Sequence, residues 1–406
     1  MTRLLYILPG LVPPSSDPAL DKFTFLSEIA EGEVLLPVWW DSPKNVSPFL
    51  RETFPIYRVG EFCYHLFLSE RFPKPLRRLA NFLFYVRRGL QLHRKEKFDA
   101  IMVYGTNMPG IAGMILKWIL GAPLIVEIPG VPEHAFQYVV PRPGIRTSMK
   151  RFVADRLLGF VCGAADCIKL LYPLQLQSYP RLRDRKAVVF HDFVPLHVIS
   201  PGQSDERFIL LSGYPWYTKG VDVLIRAFHS IAGQFPGYKL KLMGHYPDRE
   251  YLNQLAAGCP QIEFLSPRQY EDALKVIGNC SIYVLASRSE AMGRVLLEAM
   301  AAERPIIASA VGGVPYYIQD EDNGLLFESG NVEQLAAKLT TLLSDPELQA
   351  RLASRAYEKA FSEYDEQSYV RSFDMMLQSL PGESFRADKA IDRYEETMAA
   401  NKTSQP

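Results

Sequence analysis

The stretch that decides the fold is residues 281–309, "SIYVLASRSEAMGRVLLEAMAAERPIIAS". A short apolar run opens it, a helix-like segment follows, and a second apolar run closes it. Two buried runs joined by a helix are typical of a βαβ unit, in which the strands are parallel and helices cover the sheet. The stretch therefore predicts a parallel sheet covered by helices.

The same alternation of strand and helix runs through most of the chain of 406 residues. A stretch rich in Pro, Gly and Ser at 194–208 separates two such series and predicts a linker between domains. We therefore expect an α/β protein with two Rossmann-like, doubly wound domains. The expected divisions are a first domain (1–200), a second domain (205–364), a terminal helix (365–381) and a polar tail (382–406).

Composition restricts the class of protein. The formal net charge is zero and 48% of residues are hydrophobic, which is typical of a globular protein with no bulk affinity for nucleic acid. The five cysteines are scattered and odd in number, which favours reduced thiols over disulfides or a zinc site. We find no signal peptide and no apolar run long enough for a transmembrane helix. We therefore expect a cytoplasmic protein.

Two glutamates mark a candidate binding site in the second domain. Glu290 follows a predicted strand, and Glu298 lies eight residues later in a helix that is otherwise almost entirely apolar. If both were helical, they would lie about 12 Å apart along the axis, roughly the span from a sugar across a diphosphate to a ribose. The helix N-terminus between them would suit an anion. The alternative is that Glu298 only pairs with Arg294, one turn earlier.

A lysine points to the same edge of the sheet. In "SGYPWYTKGVDVLIRAF" (212–228), Lys219 and Gly220 lie between a predicted strand and a predicted helix. Ligands of open α/β sheets bind at the carboxyl ends of the strands, so Lys219 would reach a phosphate there. The alternative is an ordinary solvated lysine in a loop.

Together these segments resemble the group 1 (family 4) retaining glycosyltransferases. The resemblance covers residues 208–348 and includes "TKGVDVLIRAF", "LKLMGH", "SRSEAMGRVLLEAM", "RPIIASAVGGVPYYI" and "DNGLLFESGNVEQLAAKLTTLLSDPEL" in the family's order. It implies the GT-B fold: two Rossmann-like domains facing a cleft, with a C-terminal helix crossing back to the N-terminal domain. The N-terminal domain would bind the acceptor and the C-terminal domain the nucleotide-sugar.

The resemblance also implies roles for individual residues. Lys219 would bind the donor diphosphate, Glu290 would lie near the transferred sugar as the second catalytic residue, and Glu298 would bind the ribose. Backbone amides of the turn before the helix would contact sugar and phosphate, and a second group would surround the base. These donor-binding residues are Met292, Gly293, Arg294 and Val295 at the turn, and Gly244, His245 and Leu265 near the base.

Two departures from the family pattern stand out. Tyr214 occupies the place of a usual arginine, so neutralisation of the diphosphate would depend on Lys219, helix amides, and Arg294 or Arg288. Pro129 and Gly130 replace a usual His-Gly pair that helps to hold the sugar. On the acceptor side we therefore consider Gly10, Pro129, Gly130 and His134, with Glu127 or Glu133 as other substitutes for the histidine.

The expected activity is retaining transfer of a hexose-type sugar from a UDP- or GDP-sugar to a saccharide or lipid-linked acceptor, in polysaccharide or glycolipid biosynthesis. We expect no cofactor and no metal, since Asp320 and Asp322 precede Asn-Gly and are typical of a turn. Two alternatives remain: a sugar-nucleotide epimerase of the same fold, and a non-catalytic scaffold that binds nucleotide-sugars.

Residues 71–97 form a basic block with nine basic side chains and one acid. They predict a helix that contacts an anionic membrane near a lipid-linked acceptor, which would place the protein peripherally on the inner face of a membrane. The alternative is a helix of the first domain's core with a solvated basic face. The apolar stripe through Leu76, Leu79, Ala80, Leu83 and Leu90 is interrupted by Arg87.

Overall fold

The structure is a computed structural model that describes residues 1–10, 17–38, 56–69, 72–132, 144–202, 206–247 and 249–380. The chain divides into two compact units, the first with three segments and the second with two. The first unit consists of Met1–Pro132, Phe152–Pro195 and Tyr369–Pro406, and the second of Glu133–Arg151 and Leu196–Ser368.

The first unit contains an eight-stranded sheet in the order β3-β4-β2-β1-β5-β6-β7-β8. All neighbours pair in parallel except β3 with β4, which form an antiparallel hairpin at one edge. The strands are β1 (Thr2–Ile7), β2 (Ala30–Val38), β3 (Ile56–Val59), β4 (Phe62–Leu68), β5 (Ala100–Tyr104), β6 (Leu124–Glu127), β7 (Cys167–Leu170) and β8 (Ala187–Val189).

Apolar cores cover both faces of this sheet, as a parallel sheet requires. One core holds side chains of α2, α3 and α4 against the strands. The other holds α1 and the last described helix, α12. The helices are α1 (Lys22–Leu26), α2 (Lys74–Lys95), α3 (Met108–Leu120), α4 (Ile145–Ala164) and α12 (Glu366–Gln378). Of the last two, α4 groups with the first unit from Phe152 on and α12 from Tyr369 on.

The second unit contains a six-stranded, all-parallel sheet in the order β11-β10-β9-β12-β13-β14. Its strands are β9 (Phe208–Ser212), β10 (Lys239–Met243), β11 (Ile262–Leu265), β12 (Ile282–Leu285), β13 (Ile306–Ser309) and β14 (Leu325–Phe327). Its helices are α5 (Val221–Ile231), α6 (Arg249–Ala256), α7 (Tyr270–Gly278), α8 (Arg294–Ala301), α9 (Val314–Tyr317), α10 (Val332–Ser344) and α11 (Pro346–Glu363). The βαβ unit predicted from residues 281–309 is β12-α8-β13.

The terminal helix α12 returns to the first unit, as the sequence predicts. Its residues from Tyr369 onward group with that unit. Tyr369, Phe373 and Met376 are fully buried in the same core as Tyr6 and Phe23. Helix α12 therefore stabilises the sheet of the first unit through burial of large apolar side chains.

A buried polar network lies in the first unit's sheet. The ammonium of Lys169 on β7 forms an ion pair with the carboxylate of Glu127 on β6, and both side chains are excluded from solvent. The other Glu127 oxygen accepts a hydrogen bond from the Tyr6 hydroxyl at 2.6 Å. The Lys169 ammonium also lies 4.6 Å from the centroid of the Phe190 ring. The buried charges of Lys169 and Glu127 thus have partners that offset the cost of removing them from water.

Removing one member of this pair should destabilise the first unit strongly. Lys169→Met leaves a buried carboxylate without its cation, so we expect a loss of about 3–5 kcal/mol in the free energy of unfolding. The double variant Lys169→Met/Glu127→Gln removes both charges and should lose less. Chemical denaturation followed by circular dichroism measures both. Equal stability of Lys169→Met and the wild type would contradict this account of the pair.

Candidate functional site

The candidate site lies at the carboxyl edge of the second unit's sheet. The loops that follow β9 and β12 leave the sheet beside each other, because these strands are neighbours in a parallel sheet. The loop after β9 leads into α5 and contains Lys219, and the loop after β12 leads into α8 and contains Glu290. Both predicted catalytic residues are therefore at the edge where open α/β sheets bind ligands.

Two glycines, Gly213 and Gly220, allow close backbone packing in the loop that contains Lys219. Gly220 has φ +65°, and a Cβ at this position would lie 1.9 Å from the carbonyl oxygen of Ala286. Gly213 has φ +133°, and a Cβ there would lie 3.1 Å from Cε of Lys219. No other residue type meets both conditions at Gly220 without strain. The stem of Lys219 consequently packs against Gly213, and its ammonium is directed to the next loop.

Lys219 and Glu290 form an ion pair. The Lys219 Nζ lies 2.5 Å from Oε2 of Glu290, and only 18% and 15% of the two side chains are exposed. The Ser287 hydroxyl donates to the same carboxylate oxygen at 3.2 Å. The structure thus brings together the two residues that the sequence analysis proposed as catalytic.

The turn before α8 has an unusual backbone. Gly293 is the N-cap residue with φ +72°, and a Cβ there would lie 3.2 Å from Cγ of Glu290. Because it has no side chain, Gly293 provides no side-chain cap for the first-turn amides. Helix α8 begins at Arg294, whose side chain is exposed, while Met292 is buried and Val295 half-buried. The N-terminus of α8 therefore lies next to the Lys219–Glu290 ion pair.

Arg288 has a role that the sequence analysis did not find. Its guanidinium makes two contacts of 2.8 Å with the Asp222 carboxylate and donates to the carbonyl oxygen of Tyr217 at 2.6 Å. Its backbone N–H donates to Thr218 at 2.7 Å. Arg288 therefore fixes the loop that contains Lys219. Its charge is balanced by Asp222, which argues against its proposed use in neutralising a diphosphate.

Glu298 lies one helix turn beyond Arg294 on α8, and its side chain is buried. Burial raises the pKa of its carboxyl group. The positive charge of Arg294, the hydroxyl of Tyr270 and the charge of Lys219 oppose that rise but do not cancel it. Arg294 is the largest of these opposing influences, so the alternative that Glu298 pairs with Arg294 stays open.

The residues expected near a base also lie at this edge. Gly244 follows β10, and its N–H donates to the carbonyl oxygen of Leu265 at 3.1 Å. A Cβ on Gly244 would lie 2.6 Å from the carbonyl oxygen of Gly213. The ring of the exposed His245 lies 5.8 Å from the ring of Tyr214, the residue in place of the family's arginine. The structure thus places an aromatic pair beside the loop of Lys219.

The acceptor-side residues belong to the first unit. Gly10 follows β1 with φ +71°, and a Cβ there would lie 1.8 Å from the carbonyl oxygen of Pro37. The exposed Pro129 and half-buried Gly130 follow β6. Buried Gln175, which the sequence analysis did not identify, donates to the carbonyl oxygens of Ile128 at 2.8 Å and Gly130 at 2.6 Å. This amide holds the loop after β6 in place.

Of the substitutes considered for the family's histidine, Glu127 is committed elsewhere. Its carboxylate pairs with Lys169 and accepts from Tyr6 within the core, and its side chain is buried, which argues against a contact with the sugar. His134 and Glu133 lie outside the described residues.

Asp320 and Asp322 lie in a hydrogen-bonded turn. The Asp320 carboxylate accepts from the N–H of Leu326 at 2.7 Å, Asp322 pairs with Arg355, and the side chain of Asn323 is buried and bonded to Gln319 and Tyr317. Among the residues that the structure describes, no cluster of three His, Cys, Asp or Glu side chains suits a metal ion. The five cysteines are free thiols.

The raised pKa of Glu298 has a consequence for stability. The folded state holds the carboxyl proton more tightly than the unfolded chain, so stability falls as the pH rises through the unfolded value of about 4.3 toward the folded one. Without ligand, Glu298→Gln should therefore raise the melting temperature at pH 7, and the gain should shrink below pH of about 4. Thermal scans against pH measure this.

The matched control for this prediction is Glu271→Gln on α7, where the side chain is exposed. It should leave the melting temperature near that of the wild type at both pH values. A Glu298→Gln variant that melts below the wild type at pH 7 would show that the charged carboxylate stabilises the fold instead.

Comparison with known proteins agrees with this geometry. Residues 196–359 match the family model for glycosyl transferases group 1. An uncharacterised glycosyltransferase of Methanocaldococcus jannaschii is 25% identical over 314 residues, which cover 76% of this chain and 84% of that protein. Several other curated relatives are matched over less than half of their length.

Solved structures show the same fold. Sucrose-phosphate synthase from Thermosynechococcus elongatus superposes with a TM-score of 0.74 at 17% identity, over 94% of this chain and 99% of that one. HepE of Anabaena, solved with UDP and glucose, gives a TM-score of 0.65 at 18% identity over 92% and 99% of the two chains. Residues 196–359 thus match the group 1 glycosyl transferases, in a chain that has the GT-B fold.

Proposed function

We propose that the protein transfers a hexose-type sugar, with retention of anomeric configuration, from a UDP- or GDP-sugar to a saccharide or lipid-linked acceptor in polysaccharide or glycolipid biosynthesis. The observation that supports this most is the Lys219–Glu290 ion pair at the N-terminus of α8. A cation beside a helix N-terminus whose N-cap residue, Gly293, has no capping side chain is suited to a diphosphate.

The donor would lie along α8. Lys219 and the backbone around Met292, Gly293, Arg294 and Val295 would bind the diphosphate and the transferred sugar. Glu298 would accept hydrogen bonds from the ribose hydroxyls, which would supply the compensation that its protein neighbours give only in part. Gly244, His245 and Leu265 would surround the base. HepE, solved with UDP and glucose, supports a uridine donor.

Binding of the donor would rearrange the ion pair. A diphosphate carries more negative charge than one carboxylate, so the Lys219 ammonium would turn to it and release Glu290. The released carboxylate would then accept hydrogen bonds from hydroxyls of the sugar. The donor would thus replace the Lys219–Glu290 ion pair by two contacts. Lys219 would bind the diphosphate and Glu290 the sugar, on the two sides of the bond that breaks.

The transfer step would use the leaving group as the base. The bond between the anomeric carbon and the acceptor oxygen would form on the same face from which the diphosphate departs, and a phosphate oxygen would take the acceptor's proton. Lys219 and the helix N-terminus would stabilise the charge that develops on the diphosphate. In this proposal that charge is neutralised without a metal ion or another cofactor.

The acceptor would use the loops at the carboxyl edge of the first unit. We propose contacts from Gly10, Pro129, Gly130 and His134. The loop after β6 is positioned by Gln175, so the backbone of Gly130 is held rigidly. A cytoplasmic protein peripheral to the inner face of a membrane, with residues 71–97 on the lipid, would suit a lipid-linked acceptor.

The decisive variant is Lys219→Met. We expect the wild type to release nucleoside diphosphate from a UDP- or GDP-hexose, and the variant to lower kcat by about 10²–10³-fold, as loss of one preorganised charge-stabilising donor does. Nucleotide release measures the rate, and proton NMR of the product measures its anomeric configuration. Lys275→Met is the matched control, since Lys275 is a solvated lysine with 74% of its side chain exposed.

Four results would count against this proposal. Release that is equal in Lys219→Met and wild type would remove the assigned role of Lys219. A product of inverted configuration would exclude retention. Epimerisation of the donor without acceptor would favour the sugar-nucleotide epimerase, and nucleotide binding without turnover would favour a scaffold.

A further inference from the structure

The outward side of α2 is apolar in its first half. Leu76, Leu79 and Leu83 follow a helical spacing and are 51%, 55% and 55% exposed. The side that packs into the core is instead formed by Tyr85, Gly89 and Leu92, which are buried. The first part of the stripe that the sequence showed, from Leu76 to Leu83, is therefore not the core face of the helix, whereas Leu90 packs against the core.

Basic side chains continue this stripe. Arg87 lies four residues beyond Leu83 and Arg94 a further seven, so both project from the same side of α2, and both are exposed. The helix contains seven Lys and Arg residues and no acid. The outward side of α2 thus combines exposed leucines with a strong positive charge. Exposure of these leucines to water is unfavourable, so a contiguous patch of this kind indicates a binding surface.

The neighbouring helices α3 and α4 also expose apolar side chains on the outside of the helical layer that contains α2. α2, α3 and α4 cover the same face of the sheet, because their inner side chains belong to one core. On α4, Phe152, Val153 and Phe160 are more than half exposed. The guanidinium of Arg156 lies 5.0 Å from the centroid of the Phe152 ring.

α3 adds an interfacial residue type to the same layer. Trp118 and Ile119, near its C-terminal end, are 62% and 57% exposed. The neighbouring Lys117 pairs with Asp166 at 2.7 Å, so it ties the helix to the residue before β7. Tryptophan is enriched where a protein meets the headgroup region of a bilayer, since its ring is both apolar and polar.

We propose that the outer side of α2, α3 and α4 in the first unit is a docking surface for an anionic lipid bilayer. The exposed leucines and aromatic side chains would enter the boundary between headgroups and acyl chains, while Arg87, Arg94 and Arg156 would pair with lipid phosphates. The acid-free charge of α2 complements an anionic surface and selects lipid over an uncharged partner. This extends the proposed contact of residues 71–97 to two further helices.

The attachment would be peripheral. Among the helices that the structure describes, none is both long enough and apolar enough to cross a membrane. The inference rests on the proposed function only in supplying a reason for lipid contact, a lipid-linked acceptor. The contact itself is measurable without any transfer assay.

Co-sedimentation of the full chain with vesicles tests the surface. The vesicles are phosphatidylcholine alone and phosphatidylcholine mixed with phosphatidylglycerol, each at low and high salt. We expect binding to the anionic vesicles that weakens as salt rises, and little binding to the neutral ones. Arg87→Glu/Arg94→Glu should weaken binding by about tenfold or more, and so should Leu76→Ser/Leu79→Ser/Leu83→Ser.

Two matched controls test whether the effect is specific to the proposed surface or follows from the loss of any exposed arginine or apolar side chain. Arg226→Glu reverses an exposed arginine on α5, in the second unit, and Met375→Ser replaces an exposed apolar side chain on α12. Both should bind anionic vesicles like the wild type. The variants with changes on α2 should keep the wild-type melting temperature, because the replaced side chains face outward.

Several outcomes would overturn the proposal. These are no binding to anionic vesicles, equal binding to neutral vesicles, or binding that the α2 variants do not change. Self-association that the leucine variant abolishes, seen by light scattering, would assign the stripe to a second copy of the chain. Nucleotide binding measured on the same samples keeps the two proposals apart, since lost lipid binding with intact donor binding counts only against this one.

Discussion

The arrangement of the candidate site at the carboxyl edge of the second unit's sheet depends on the ion pair between Lys219 and Glu290. The two residues come from loops after neighbouring parallel strands, and each loop is held in a conformation that brings its side chain inward. Gly220 lets the Lys219 loop approach β12, and Gly293 lets α8 begin against Glu290. Arg288 then ties one loop to the other through Asp222 and two backbone carbonyls. The backbone around the ion pair is therefore fixed by the protein's own contacts, and in the proposed mechanism only the two side chains of the pair change partners.

Two buried carboxylates of this chain, Glu127 and Glu298, differ in the partners that the protein gives them. Glu127 has a lysine and a tyrosine hydroxyl as fixed partners, so its burial is compensated inside the protein. Glu298 has neighbours that only partly oppose the effect of burial, and the pKa of its carboxyl group is raised. A protein that retains such a group gives up stability, and function at a binding site is the usual reason. The contrast supports the assignment of Glu298 to the ribose and of Glu127 to the core.

The sequence predicted the α/β class and the β12-α8-β13 unit because apolar runs and helical spacing are local signals, but it did not predict α6 and α7 between the strands β10, β11 and β12. It did not predict the β3-β4 hairpin, whose pairing depends on contacts with β2. It also missed the roles of Arg288 and Gln175, since both act through backbone carbonyls far along the chain. The apolar stripe of α2 was visible, but its outward direction depends on which side of the helix packs on the sheet. Periodicity alone cannot choose between two sides that both contain apolar residues.

The most direct test of the central claim is calorimetric titration of UDP and GDP, with UMP and GMP as ligands that lack the diphosphate, into the wild type and Glu290→Gln. If the diphosphate takes Lys219 from Glu290, the variant should bind the preferred diphosphate more tightly than the wild type, because its competitor is removed, while the monophosphates change little. Weaker or unchanged diphosphate binding in Glu290→Gln, or no nucleotide binding in the wild type, would contradict the account.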